Sequence, residues 1–253
     1  MDPAGATVAE VDSALILRAK ARLLAEQKKI DAACAEDPLF WLQNHTRSFD
    51  DQAAHHDPPL PTYRPFPKIE YFTHLFRLLH KGEVWNPTKE AWEPIGNRRV
   101  FVAKSRQMLG SWCACGYGVW LCMWGQRKSV LAQCLKEEKS AEMCLYAGTL
   151  YNESPLWMRQ MHPLKGGATT WVPGRGVQAK NMIVWENGSR FQGVPGGADQ
   201  IRSFHPFLLI SDESAFQPEF SSCYDAANPA CPYILCVSSA APGPFAEMVG
   251  ERE

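Results

Sequence analysis

The chain is poor in several things that would narrow its function at once. It has almost no charge bias: 26 Lys and Arg stand against 27 Asp and Glu, a formal net charge of -1. Any contact with nucleic acid must therefore come from local patches. It has nine cysteines but no C-x-x-C pair, which argues against a zinc site of the usual spacing. Scattered singly through apolar segments, Cys34, Cys113, Cys115, Cys122, Cys134, Cys144, Cys223, Cys231 and Cys236 read as buried, reduced thiols of a cytosolic protein. The first residues lack a basic start followed by an apolar core, so no secretory signal is expected. The longest apolar run, 112–124, is too short to span a bilayer and contains Gly116 and Gly118, so no membrane partner is expected. No internal repeat or low-complexity tract stands out. The standard phosphate-loop spacing, Gly, four residues, Gly, Lys, then Ser or Thr, is absent as well.

What is present is the material of a globular chain. With 253 residues, 45% of them hydrophobic, it can build one large α/β domain or a domain with an appended piece. Residues 8–35 carry Val8, Val11, Leu15, Leu17, Leu23, Leu24 and Ile30 at helical spacing among Ala, Lys and Glu, and predict a peripheral helical arm. "DPLFWLQNHT" (37–46) predicts a short helix capped by Asp37 with Pro38 at its first position. Residues 48–67 are rich in Asp, His and Pro and read as a linker. His55 and His56 have no third ligand nearby, so they read as solvated loop residues. A helix over 68–82 should end at Gly82. From there strands and helices alternate: strand 98–105, helix 111–124, strand 128–135, helix 136–154, and two β segments near 181–193 turning at Asn187-Gly188. A buried strand ending in acids (206–214), a helix (219–228) and a last buried strand (232–239) follow. Continuous apolar strands alternating with helices predict a mostly parallel sheet covered on both faces. The expected division is an arm and linker over 1–60 and an α/β domain over 61–253.

Three stretches carry chemistry. In "VFVAKSRQMLGSWCAC" (100–115) a strand delivers Lys104, Ser105, Arg106 and Gln107 into a turn. Gly110 lets backbone amides approach an anion there. Ser111 then opens a helix whose unpaired N–H groups favour phosphate. The signal is weak alone, because basic strand-to-helix turns are common in α/β proteins. In "FLLISDESAF" (207–216) four apolar residues precede Asp212 and Glu213. Carboxylates at the end of a buried strand are costly unless they serve a cation or a base. Taken alone they equally suit the cap of a following helix. In "ILCVSSAAPG" (234–243) an apolar strand ends in Ser238 and Ser239, which alone is an ordinary strand end. Trp112, Trp120 and Trp124 invite a base-stacking role, but helical spacing with Cys115, Val119 and Cys122 favours core packing. The Gly-rich segment 166–180 presents Arg175 and Lys180, either as a modest DNA contact or as an exposed loop.

Together these stretches resemble the ATPase domain of large terminase subunits, the DNA-packaging motors of tailed bacteriophages. The family's loop Lys-Ser-Arg-Gln-Met-Gly-x-Ser-Trp reads here "KSRQMLGSW"; its Asn-Gly-Ser-Arg block and acid-ending strand read "NGSRFQGVPGGADQIRSFHPFLLISDESAF"; its coupling motif reads "SSAAP". The resemblance covers 98–243 well and 37–97 loosely. It implies a P-loop NTPase fold of the ASCE type with an N-terminal helical extension. It also implies ATP hydrolysis with Mg2+. Lys104, Ser105, Arg106, Gln107, Gly110, Ser111 and Trp112 would form the nucleotide site, with Lys104 as a displaced Walker A lysine. Ser111 and Asp212 would bind the metal, and Glu213 would be the catalytic glutamate. Arg106 would contact phosphate, Arg202 would be an arginine finger toward a neighbouring subunit, and Ser238 and Ser239 would couple hydrolysis to movement. "YRPFPKIEYF" (63–72) takes the place of the adenine-binding segment. The resemblance further implies sequence-independent contact with double-stranded DNA, partnership with a portal protein and a small terminase subunit, and a homo-oligomeric ring on the procapsid. In isolation the chain could be a monomer; the place of action would be the host cell cytoplasm. The sequence departs from the family at Leu109, where glycine is usual, at Ser203 after Arg202, and at Ser211 before Asp212. No nuclease-like segment follows, so DNA cleavage is not expected. Two other readings stay open: another P-loop translocase or helicase, and a non-catalytic docking module with a degenerate loop.

Overall fold

The computed structural model describes residues 8–50, 53–55, 58–96, 98–105 and 108–250. The chain opens with α1 (Val8–Glu36) and α2 (Pro38–His45), followed by β1 (Arg47–Phe49), β2 (Tyr63–Pro65), α3 (Glu70–Lys81) and a hairpin of β3 (Glu83–Asn86) and β4 (Ala91–Pro94). Then come β5 (Arg99–Lys104), α4 (Gly110–Trp124), β6 (Ser129–Cys134), α5 (Glu137–Glu153), α6 (Leu156–Met161), β7 (Met182–Val184) and β8 (Arg190–Pro195). The last elements are α7 (Ala198–Arg202), β9 (Leu208–Asp212), α8 (Phe220–Ala227), β10 (Tyr233–Ser239) and α9 (Pro244–Gly250).

Six strands form the central sheet in the order β5-β10-β9-β6-β8-β7. Every pairing is parallel except β7 with β8, so the sheet is mostly parallel as the alternation predicts. Its middle strands are buried along almost their whole length, which is why β9 and β10 are apolar without a polar alternation. One core, built around α4, α5 and the α3 residues Phe72, Phe76 and Leu79, covers one face. A second, with Phe220, Cys223, Cys231 and Phe245, covers the other. All nine cysteines are buried and unpaired. Among the described residues no helix is long and apolar enough to cross a membrane, and no three or more His, Cys, Asp or Glu side chains converge on a common metal position.

Local chemistry explains the element ends. Asp37 accepts from the backbone N–H groups of Leu39 and Phe40, as a helix cap followed by proline should. Gly82 ends α3 at φ 67° and donates back to Arg77 and Leu78. The turn between β7 and β8 places Gly188 at φ 81°. The segment read as a linker is more ordered than its composition implies. Arg47–Phe49 pairs antiparallel with Tyr63–Pro65, so the hairpin straddles residue 60, where the arm was expected to give way to the domain. Most of α1 is exposed, including Leu15, Leu17 and Leu23, and its final turns are tied down: Trp120 Nε1 donates to the Cys34 carbonyl, and Asp31 accepts from Trp124 and contacts His162.

Candidate functional site

Parallel topology puts the C-terminal ends of β5, β9 and β10 at one edge, the place where open α/β sheets bind ligands. β10 lies between β5 and β9, pairing Ser239 with Lys104 and Val237 with Asp212. The lysine-bearing and acid-bearing strands are thus one strand apart.

α4 begins directly beyond β5. Its N-cap is Leu109 at φ 53°, whose apolar side chain cannot cap the helix as Ser or Asp would, and helix-start N–H groups of this kind suit an anion. A left-handed conformation costs a non-glycine residue on the order of 1–2 kcal/mol. Leu109 therefore takes a backbone shape that glycine would adopt without strain, and packs its side chain against the core. Tyr71 of α3 donates a hydrogen bond to the Met108 carbonyl and steadies the turn. The start of α4 leaves no room for a side chain: a Cβ on Gly110 would lie 2.5 Å from Cδ and 2.7 Å from Cε of Lys104, whose stem crosses the helix start.

Ser111 closes the gap to the acid strand. Its hydroxyl lies 2.9 Å from Oδ2 and 3.0 Å from Oδ1 of Asp212. Asp212 is only 9% exposed, and its burial pushes its pKa above the ordinary carboxylate value. The Ser111 hydrogen bond and the Lys104 charge pull it back, and the Glu213 charge pushes it up again. Glu213 follows at φ 51° and is exposed at the cleft. Among the described residues four non-glycines have positive φ, and two of them, Leu109 and Glu213, flank the Ser111–Asp212 contact. Such conformations persist only where the surroundings impose them, and they gather at functional sites.

The turn after Glu213 is held by a buried polar network. Ser214 Oγ donates to the Ser211 carbonyl at 2.8 Å, and Gln217 Nε2 donates to Ser211 Oγ at 3.2 Å and to the Asp212 carbonyl at 2.8 Å. Ser211, a departure from the family pattern, thus has a structural use. Ser238 Oγ accepts from the Ala215 N–H at 3.1 Å, tying the end of β10 to the segment that carries Glu213. Ser239 lies beside it, level with Lys104.

Two chambers meet at Ser111. The larger, about 800 Å3, is lined by Lys104, Leu109, Gly110 and Trp112 on one side and by the β1–β2 hairpin residues Phe49 and Arg64 on the other. The smaller, about 280 Å3, is lined by Lys136, Lys139, Asp212 and Glu213, and both share Ser111, Glu142 and Tyr146. Trp112 is buried, stacks on Tyr146 with ring centroids 4.4 Å apart, and meets Phe49 edge-on at 5.6 Å. Trp120 is core, as its spacing implies.

No protein-family model matches the chain, and no curated protein matches it. Among solved structures it is similar to a Thermus phage large terminase ATPase domain. That likeness has 17% identity and a TM-score of 0.41, and covers 60% of this chain and 64% of that one. It is also similar to a point mutant of the same domain, with 13% identity and a TM-score of 0.41, covering 72% of this chain and 69% of that one. The chain thus spans just under two thirds of the first of these structures.

The structure gathers Lys104, Gly110, Ser111, Trp112, Asp212 and Glu213 around one cleft; Ser238 and Ser239 line neither chamber and sit at the end of β10, paired with Ala103 and Lys104. Ser105 is exposed just past β5. Arg106 and Gln107 lie outside the described residues. Arg202 does not line the cleft; it is exposed on α7, 2.8 Å from Asp199, and Ser203 donates to the Asp199 carbonyl to close that helix. Arg175 and Lys180 are exposed on the 166–180 segment and line neither chamber. The sequence reading missed Lys139, Glu142 and Tyr146 of α5, whose spacing along the helix was the available signal.

Proposed function

We propose that this chain is an ATP-hydrolysing motor domain of the large terminase kind, using Mg2+ and moving double-stranded DNA. The observation that carries the proposal is the contact of Ser111 with Asp212, which joins a helix-opening hydroxyl to a buried carboxylate beside the exposed Glu213. A buried acid whose pKa is raised lacks a full counter-charge. Hard oxygen donors of this type suit Mg2+, so Ser111 and Asp212 fit as its protein ligands. Bound there, Mg2+ would neutralise phosphate charge and orient the terminal phosphoryl group.

The chain's own groups have distinct tasks. The uncapped N–H groups of α4 and the Lys104 ammonium bind the phosphates. The larger chamber, with Phe49, Trp112 and Tyr146, has room for the base and sugar. Glu213, at the mouth of the smaller chamber, orients a water for in-line attack on the γ-phosphorus and takes its proton. ADP and inorganic phosphate result. Ser238, bonded to the segment after Glu213, senses the change on that side. Arg202, exposed on α7 and paired with Asp199, would serve a neighbour's site in a ring. Contacts with DNA would be to its backbone, because a motor must pass any sequence. A portal protein, a small terminase subunit and the host cytoplasm complete the proposed setting, with residues 1–60 as an arm on an ATPase domain over 61–253.

Single-turnover hydrolysis at high protein concentration tests this reading. The unaltered chain should hydrolyse Mg-ATP, and Glu213→Gln should lower the rate by about 10²–10⁴ while leaving nucleotide affinity in place. Equal rates in both would remove Glu213 from the chemistry.

A further inference from the structure

α5 brings to the cleft a set of charges that the hydrolytic scheme does not use. Lys139 Nζ donates to Glu142 Oε2 at 2.7 Å, and Tyr146 Oη donates to Glu142 Oε1 at 2.5 Å. Tyr146 in turn stacks on Trp112, one residue after Ser111. Glu142 lines both chambers, whereas Lys139 lines only the smaller one, together with Asp212 and Glu213. The pair therefore stands just beyond Ser111. A triphosphate whose inner phosphates rest on the start of α4 would project its last phosphate into that space.

The two partners are unequally held. Burial pushes the Glu142 carboxyl up, but the hydrogen bonds from Lys139 and Tyr146 more than offset this and hold it below its ordinary value, so it is ionised at neutral pH. Lys139 has a side chain 62% exposed, and its ion pair with Glu142 joins residues three apart on one helix. Exposed pairs of that kind are weak ties. A charge-assisted hydrogen bond to phosphate in a partly closed cleft is stronger. The incoming negative charge would also repel Glu142.

We propose that Lys139 reads the third phosphate: it stays on Glu142 when the cleft is empty or holds a diphosphate, and transfers to the γ-phosphate when a triphosphate arrives. The inference rests on the ATPase reading above. The transfer carries positive charge to the phosphate beside Glu213, whose field Lys139 already feels. Glu142 acts as the counterweight that keeps the lysine parked.

The test is equilibrium binding of ADP and of a non-hydrolysable ATP analogue, each with Mg2+, to the unaltered chain, Lys139→Met and Glu142→Gln. Lys139→Met keeps the length of the stem and should weaken the triphosphate analogue about tenfold while moving ADP by less than about twofold. Glu142→Gln should strengthen the analogue about threefold and leave ADP alone. A change in Lys139→Met that is equal for both nucleotides, or absent for both, overturns the sensor while the ATPase reading stands. Binding of neither nucleotide by the unaltered chain overturns both.

Discussion

Asp212 is a residue kept at a cost to stability. Its raised pKa means that the folded chain holds the proton more tightly than the unfolded chain does. Between the ordinary carboxylate value and the raised one, stability falls as pH rises. Above that window the buried charge is a standing penalty. Asp212→Asn, which can still accept from Ser111, is expected to raise stability at about pH 7 by about 0.5–2 kcal/mol. The gain should shrink as pH falls toward about 4, the ordinary range of a carboxylate. Thermal melts at the two pH values read this directly, and Mg2+-dependent nucleotide binding should be lost in the same variant. Gly110 is the opposite case, a residue whose missing side chain would, on the proposed ATPase reading, serve the ligand rather than the fold. The two nearest atoms that a Cβ would strike belong to the flexible stem of Lys104, so the lysine would move before the backbone does, and Cγ1 of Val237, at 3.1 Å, would have to give by only a few tenths of an ångström. Gly110→Ala is expected to lower triphosphate affinity about tenfold and to shift Tm by less than about 2 °C. Titration and melting of the same sample separate the two effects.

At the scale of elements, α5 is placed by an absence on β8. A Cβ on Gly193 would lie 2.3 Å from the Ser140 carbonyl oxygen and 2.8 Å from its carbon, both backbone atoms that cannot swing aside. Gly193→Ala is expected to cost about 1–3 kcal/mol in denaturant unfolding. It should also disturb the Lys139–Glu142 side of the cleft, because Ser140 sits between those two residues in α5. The elements that sequence made legible are those whose pattern is local. β9 and β10 announce themselves as apolar runs ending in Asp212-Glu213 and Ser238-Ser239, and Asp37-Pro38 marks a helix start by its own chemistry. The rest depended on distant partners. Lys139, Glu142 and Tyr146 look like a solvated helix face until α5 is packed beside Ser111. β1 and β2 hide in a Pro- and His-rich stretch because each strand is three residues long and pairs across a gap of more than a dozen. Leu109 reads as a lesion in the phosphate loop, but whether a leucine can take a left-handed φ is decided by the core packed around it.

For the whole molecule, the sheet is not built in the order in which it is written. β10 is the last of the described strands in sequence and the second in the sheet, and its Ile234 pairs with Arg99, far earlier in the sequence. Closing so long a separation is slow, and the early strands must wait with an open edge. On a ribosome this sets a clock. Until Tyr233–Ser239 has left the exit tunnel, β5 has no neighbour, and Lys104 and Asp212 belong to separate halves of an unfinished sheet. A nascent chain halted before Tyr233 is therefore expected to stay sensitive to protease across 99–212 and to gain no protection from Mg-ATP, whereas one released past Ser239 should gain both together. The cleft comes into being only when its central strand is delivered, so a half-made chain never holds a half-working site.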